Sequence, residues 1–166
     1  QGVHEMDVAR WAIKGATMPK SVWSIGGRFG YEDQGETPNT QMAVYEYDEA
    51  LLIFETRGLV GKHNIPRVVK NEYYTTEGKI TGGKFYPKNG GKAVGLDNLG
   101  GEVQPGGPFG NFIDCVRSRK RDHLNADVAE GHYSSALCHL GNISYRTGEK
   151  EAFDLKSRKF HKNPQV

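Results

Sequence analysis

The chain has 166 residues, 36% hydrophobic and 25% charged, and its 22 basic and 20 acidic side chains leave a net charge of +2. One hydrophobic core fits this length, and so balanced a charge gives no reason to expect nucleic acid or an anionic membrane surface as a partner. No apolar run approaches the roughly 20 residues of a membrane span, and no signal peptide opens the chain.

The first stretch is Gly2-Val3-His4-Glu5-Met6-Asp7-Val8-Ala9-Arg10-Trp11. Val3, Met6, Ala9 and Ile13 recur near the helical period, with Val8 and Trp11 to either side, which predicts a helix that turns this face into a core. Helical spacing brings positions i and i+3 onto one face, so His4 and Asp7 can point at one target where a pocket opens at the helix entrance. Gly15 is a natural left-handed cap for this helix, with Pro19 just beyond. With only three residues before His4, the chain reads as a fragment of a longer protein, cut inside a functional motif.

Residues 21–30 alternate apolar with small or polar side chains, as a strand with one buried face does. The segment Tyr31 to Asn39 carries too many acids and turn formers for regular structure and reads as a loop. Thr40 to Tyr47 and Ala50 to Arg57, parted by Asp48-Glu49, form the clearest hairpin. Gly58 to Arg67 is a polar connection. Strand-like runs resume at Val68 to Thr75, Lys79 to Thr81 and Lys84 to Tyr86, with turns at Thr76-Glu77-Gly78 and Gly82-Gly83. The glycine-rich stretch Lys88 to Gly107 predicts a long exposed loop, without the GxGxxG or GxxxxGK[ST] spacing of a phosphate-binding turn.

The last third turns helical. Phe109, Phe112, Ile113 and Val116 make one apolar stripe, with Asn111, Arg117 and Arg119 outside it. The basic run Arg117-Ser118-Arg119-Lys120-Arg121 ends that helix, where cations complement the dipole, and no interleaved aromatics support a nucleic-acid reading. Asn125 or Asp127 can cap a longer helix to about Arg146, burying Tyr133, Ala136, Leu137, Leu140 and Ile143, with Gly148 closing it. Phe153 to Phe160 adds a final short strand. Cys115 and Cys138 fall in the two helices as reduced core thiols, which fits a reducing compartment; a single disulfide stays open.

Nothing alternates strand and helix as a parallel sheet requires, so the expected fold class is α+β: an open, mainly antiparallel sheet with helices packed on one face. A second sheet face bearing Tyr45, Tyr47, Phe54, Tyr73 and Tyr74 would need a cover, for which another subunit is suited.

The opening GxHxxDxxRW pattern, Gly26-Gly27-Arg28-Phe29-Gly30, the stretch Asn111 to Arg119, and Gly131-His132 through Leu140-Gly141-Asn142 resemble the C-terminal domain of Gfo/Idh/MocA oxidoreductases. That is the family of glucose-fructose oxidoreductase and inositol dehydrogenase, and the flavour is that of an environmental bacterial branch. The likeness covers nearly the whole chain, and the first pattern is its most specific part. It implies that residues 1–166 are a single substrate-binding and oligomerisation domain of a two-domain enzyme. Its absent N-terminal Rossmann domain would bind NAD or NADP, and the domain present would take a sugar or polyol and form a homo-oligomer through its open sheet. His4 matches the catalytic histidine of such enzymes and Asp7 the aspartate that lines the sugar site. The lysine of an EKP-type motif, and the acid four residues before the histidine, have no counterpart here, so the fragment alone would be inactive.

The residue types agree with that chemistry. Alcohol oxidation with a nicotinamide takes a hydride from carbon and a proton from oxygen, and imidazole is the side chain suited to accept the proton near neutrality. A carboxylate beside it can accept a hydrogen bond from a neighbouring hydroxyl. His4 and Asp7 can equally cap and staple the helix start. His132 and His139 share a helix face at the edge of the apolar stripe, and Arg28 and Tyr31 stand where a strand enters the acidic loop. His132, Arg28 and Tyr31 join Asp7 as candidate substrate-binding residues, against the plainer readings of packing and a surface salt bridge. A zinc site from His4, Asp7, His132 and His139 lacks any HxxxH or CxxC spacing, so no metal is expected. Two other functions compete: a non-catalytic carbohydrate-binding or scaffold domain, and a glycosidase of the same family that uses the nicotinamide transiently. A cytoplasmic location is expected, with periplasmic export left open by the truncated start.

Overall fold

The computed structural model describes residues 2–59, 69–96 and 105–148, and the backbone alone at 151–154 and 159–162. Helix α1 (Gly2–Trp11) buries Met6 and, unexpectedly, Arg10. It ends earlier than its apolar spacing predicts. A separate turn bond from Ala16 N–H to the Ile13 carbonyl, 3.1 Å, replaces the helical ladder, and Gly15 takes its left-handed conformation (φ 65°) in that turn instead of capping the helix. Val8 and Trp11 are exposed.

The strands β1 (Ser21–Gly27), β2 (Thr40–Glu46) and β3 (Leu51–Arg57) form a three-stranded antiparallel sheet in the order β1-β2-β3. The predicted hairpin is therefore present, with Tyr47 N–H bonded to the Ala50 carbonyl at its turn. Register places Val22, Tyr45 and Leu52 in one cross-strand row, and Ser24, Ala43 and Phe54 in the next. This is the buried face.

Four further strands, β4 (Glu72–Tyr74), β5 (Gly78–Thr81), β6 (Lys84–Pro87) and β7 (Val94–Gly95), make a separate antiparallel meander. Its β5–β6 turn needs two left-handed residues, which Gly82 (φ 55°) and Gly83 (φ 70°) supply at no steric cost. The expected strand from Val68 to Thr75 is reduced to its last part, with residue 68 outside the described region. The expected loop from Lys88 to Gly107 contains β7, and its residues 97–104 also lie outside, as does most of the connection from Gly58 to Arg67. The strands β8 (Glu151–Asp154) and β9 (Lys159–Lys162) pair as a hairpin where one strand was expected. The single open sheet of the sequence reading is thus corrected to two open antiparallel sheets and this hairpin, since no ladder joins β3 to β4 among the described residues.

Helix α2 (Gly107–Ser118) inverts its predicted orientation. Phe109 is 80% exposed and Phe112, Ile113 and Val116 face water as well, while Asn111 is buried. Asn111 satisfies both ends of its amide, donating from Nδ2 to the His123 carbonyl at 2.8 Å and accepting at Oδ1 from Asn125 N–H at 2.9 Å. A fully paired amide can be buried at little cost, and this one fixes the chain that follows the helix.

Helix α3 (Val128–Thr147) begins at Asp127, whose Oδ1 accepts from Ala129 N–H at 2.9 Å. Of the two predicted caps, Asp127 is the one used. Gly148 N–H closes the far end on the Ser144 carbonyl, and Ile143 is exposed instead of buried. The chain divides into two compact units: residues 1–12 with 69–135, and residues 13–68 with 136–166.

In the second unit, α3 covers the buried face of the three-stranded sheet. Tyr45, 1% exposed, donates to the Leu137 carbonyl at 2.8 Å, and Ser144 Oγ donates to the Val22 carbonyl at 3.2 Å. Gly141 permits the approach, because a Cβ there would collide with the Tyr45 hydroxyl and stand 3.4 Å from Ala43 Cβ. Burial raises the Tyr45 hydroxyl's pKa well above its ordinary value. The expectation that Tyr45, Tyr47 and Phe54 mark the uncovered face is corrected. Odd and even positions of a strand point opposite ways, and Trp23, Ile25, Met42, Leu51 and Ile53 are the exposed set, with Trp23, Val44 and Ile53 in one cross-strand row. Tyr73 instead reaches α1 in the first unit, donating to the Val8 carbonyl at 3.2 Å, and Tyr74 is exposed. Cys115 and Cys138 are free, half-buried thiols, and burial pushes Cys138 up from its ordinary pKa. Among the described residues no helix is long and apolar enough to cross a membrane.

Candidate functional site

The first unit brings α1 against residues 128–135 of α3 through a charged cluster centred on Arg10. This side chain is 5% exposed, and buried guanidinium groups persist where their donors are taken. Arg10 Nε donates to Ser134 Oγ at 3.2 Å, its Nη2 pairs with Glu130 and lies 3.6 Å from Asp7 Oδ1, and the guanidinium stands 5.7 Å from the Tyr133 ring centroid. Ser134 passes the contact on, donating its hydroxyl to Asp7 Oδ1 at 2.5 Å. One oxygen of Asp7 is therefore held by a buried hydroxyl and a nearby cation, while the residue's side chain stays 33% exposed.

Asp7 faces an open cleft of about 480 Å³, lined also by Ala126, Asp127, Val128, Glu130, Gly131, His132 and Ser135. Two sequence candidates, Asp7 and His132, thus share one cavity, with His132 in edge contact with Tyr133 at 5.7 Å. Carboxylate, imidazole and hydroxyl groups around an open cleft suit a ligand with several hydroxyls, each of which both donates and accepts. His4 is exposed on the first turn of α1 and is not among the residues lining the cleft. His139 is exposed farther along α3.

Arg28 and Tyr31 come together in the second unit, the guanidinium 5.6 Å from the ring centroid. Arg28 donates to the Thr37 carbonyl at 2.6 Å and pairs with Asp33, which also accepts from Gly35 N–H at 2.9 Å. These donors organise the acidic loop 31–39. The loop closes on Asn39, whose amide bonds both the Phe29 carbonyl and the Phe29 N–H.

Sequence reasoning missed Arg10, Glu130, Ser134 and Ser135. Arg10 carried a signal: it stands three residues after Asp7, the same spacing that singled out His4 and Asp7, on the flank of an apolar stripe. Ser134 and Glu130 carried none, because their partner is more than a hundred positions away.

Among the described residues no group of three or more His, Cys, Asp or Glu side chains is placed to hold a metal ion. Every described ladder is antiparallel, so the parallel strand, glycine-rich turn and helix of a Rossmann unit are not found among the described residues. No family model matches the chain, and comparisons with curated proteins and with solved structures find no significant match.

Proposed function

We propose that this chain is the substrate-binding half of an NAD(P)-dependent oxidoreductase acting on a sugar or polyol hydroxyl, with the resemblance to the Gfo/Idh/MocA C-terminal domain as its frame. The observation that carries the reading is Asp7: anchored through Ser134 and Arg10, yet open to a cleft it shares with His132. In this reading the exposed carboxylate oxygen accepts a hydrogen bond from a ligand hydroxyl, and His132 and Ser135 contact neighbouring hydroxyls. His4, exposed at the start of the same helix, accepts the proton of the hydroxyl being oxidised. The nicotinamide that takes the hydride belongs to a separate nucleotide-binding domain, so no cofactor contact is assigned to these residues.

The same reading assigns the outer face of the three-stranded sheet to a second copy of the chain. The runner-up is a carbohydrate-binding or scaffold domain without redox chemistry, favoured by the position of His4 outside the cleft lining. Titrating the chain with myo-inositol and a panel of hexoses, followed by amide NMR, tests the cleft. Shifts centred on Asp7 and residues 126–135 that vanish in Asp7→Ala support it, and an unresponsive cleft across the panel removes it. Extending the coding sequence upstream and screening the longer protein for nicotinamide reduction then separates the oxidoreductase from the runner-up.

A further inference from the structure

A second cavity lies in the first unit and shares Asp127 with the cleft that Asp7 lines. It is an open notch of about 710 Å³ lined by Arg119, Lys120, Arg121, Asp122, Leu124 and Asp127, where α2 ends and the chain turns toward α3. From the residues on this notch we propose that it binds a small phosphate-bearing molecule, Arg119 and Lys120 supplying the donors. This inference does not depend on the sugar reading.

The charges in the notch are unevenly committed. Arg121 is occupied, holding Asp127 through Nε at 2.5 Å and Nη2 at 2.8 Å, and Asp127 is also tied to Ala129 N–H. That pair cancels its own charge and stiffens one wall. Among the described residues, Asp122 pairs with the neighbouring His123 alone, at 3.8 Å. Arg119 and Lys120, with Arg117 two residues before Arg119 on α2, have no carboxylate partner among the described residues. Arg119 and Lys120 outnumber the one remaining carboxylate of the notch, Asp122, and leave it net positive beside the fixed ion pair; guanidinium forks match phosphate oxygens in pairs.

The backbone at Arg119 adds an independent observation. It is the one non-glycine residue with positive φ among the described residues, 59°, where it caps α2 by donating its N–H to the Cys115 carbonyl at 2.9 Å. Glycine is the usual occupant of such a cap and fits it without steric cost. A bulky cation at a strained position beside a cavity points from the outlier to a use for the side chain.

Arg119→Gly separates the side chain from the fold, because it removes the guanidinium while easing the backbone. The chain is titrated with inorganic phosphate against chloride at constant ionic strength, following backbone amides. Saturable shifts confined to residues 117–127, in the roughly millimolar range, are expected with phosphate only. A hexose monophosphate should bind at least as well as phosphate. Arg119→Gly and Lys120→Ala should each weaken binding about tenfold, the glycine variant with an unchanged or higher Tm. Equal shifts with chloride, unaltered binding in Arg119→Gly, or binding to anionic vesicles or duplex RNA but not to the hexose phosphate, would each overturn the proposal.

Discussion

Replacing Arg10 by Met removes the cation at the centre of the first unit while keeping most of its apolar stem volume. Breaking a fully buried ion pair from one side costs about 3–5 kcal/mol. Here Glu130 is 50% exposed and Asp7 33% exposed, so water replaces much of what they lose and the ionic part falls to about 1 kcal/mol. The hydrogen bond to the buried Ser134 hydroxyl adds about 1 kcal/mol, and the guanidinium over Tyr133 adds about 0.5 kcal/mol. The expected loss is therefore about 2–3 kcal/mol, or roughly 5–10 °C in Tm for a chain of this size. Urea unfolding followed by far-UV circular dichroism measures it directly, as a lower midpoint at unchanged slope. Arg10→Lys should recover less than half the loss, because one ammonium cannot span Ser134 and Glu130 as a fork does. Arg10→Met within about 0.5 kcal/mol of wild type, the ordinary scatter of surface changes, would refute the view that this cluster holds α1 to the first turns of α3.

Gly141→Ala should destabilise the second unit by about 1–3 kcal/mol, because the new Cβ meets the Tyr45 hydroxyl; thermal unfolding reads it, and adding Tyr45→Phe should return part of the loss. The Lys70 and Lys79 ammonium groups hold the Glu72 carboxyl down at about 2, and the Arg121 guanidinium holds Asp127 down at about 2. Both folded-state values lie below the ordinary carboxylate range, so this stability is full only above about pH 5 and is lost as pH falls toward 2. Asp127→Asn should flatten that decline in acid titrations of Tm, and an unchanged acid limb would contradict it. Trp23→Glu should leave the circular dichroism spectrum intact and shift sedimentation toward monomer; a wild-type chain that is monomeric at high concentration would dispose of the sheet-face interface.

Local signals were the legible ones. The Thr40 to Arg57 hairpin, the Gly82-Gly83 turn, the Asp127 cap and the Gly148 stop each follow from residues next to one another, and each is found in place. What failed depended on distant partners. The period of Phe109, Phe112, Ile113 and Val116 marks an apolar stripe correctly but cannot say what it faces, and Asn111 is buried because residues 123–125 meet its amide. Alternation in β1 to β3 likewise shows two faces without naming the covered one; α3 decides it through Tyr45 and Gly141. At the candidate site, motif and helix position singled out Asp7 and His132, which both line the cleft, and also His4, which is not among its lining residues. Arg10, Ser134 and Glu130 were not, since their roles exist only once α1 and α3 meet.

The most direct test of the sugar-oxidoreductase reading is turnover by His4→Ala in the longer protein, with its nucleotide-binding domain, that this reading proposes. A sugar or polyol that drives nicotinamide reduction should be found for the wild type, and the variant should lose roughly 10²–10⁴-fold in kcat while binding the dinucleotide as before. Undiminished turnover in the variant, or no reduction with any sugar or polyol in the wild type, would contradict it.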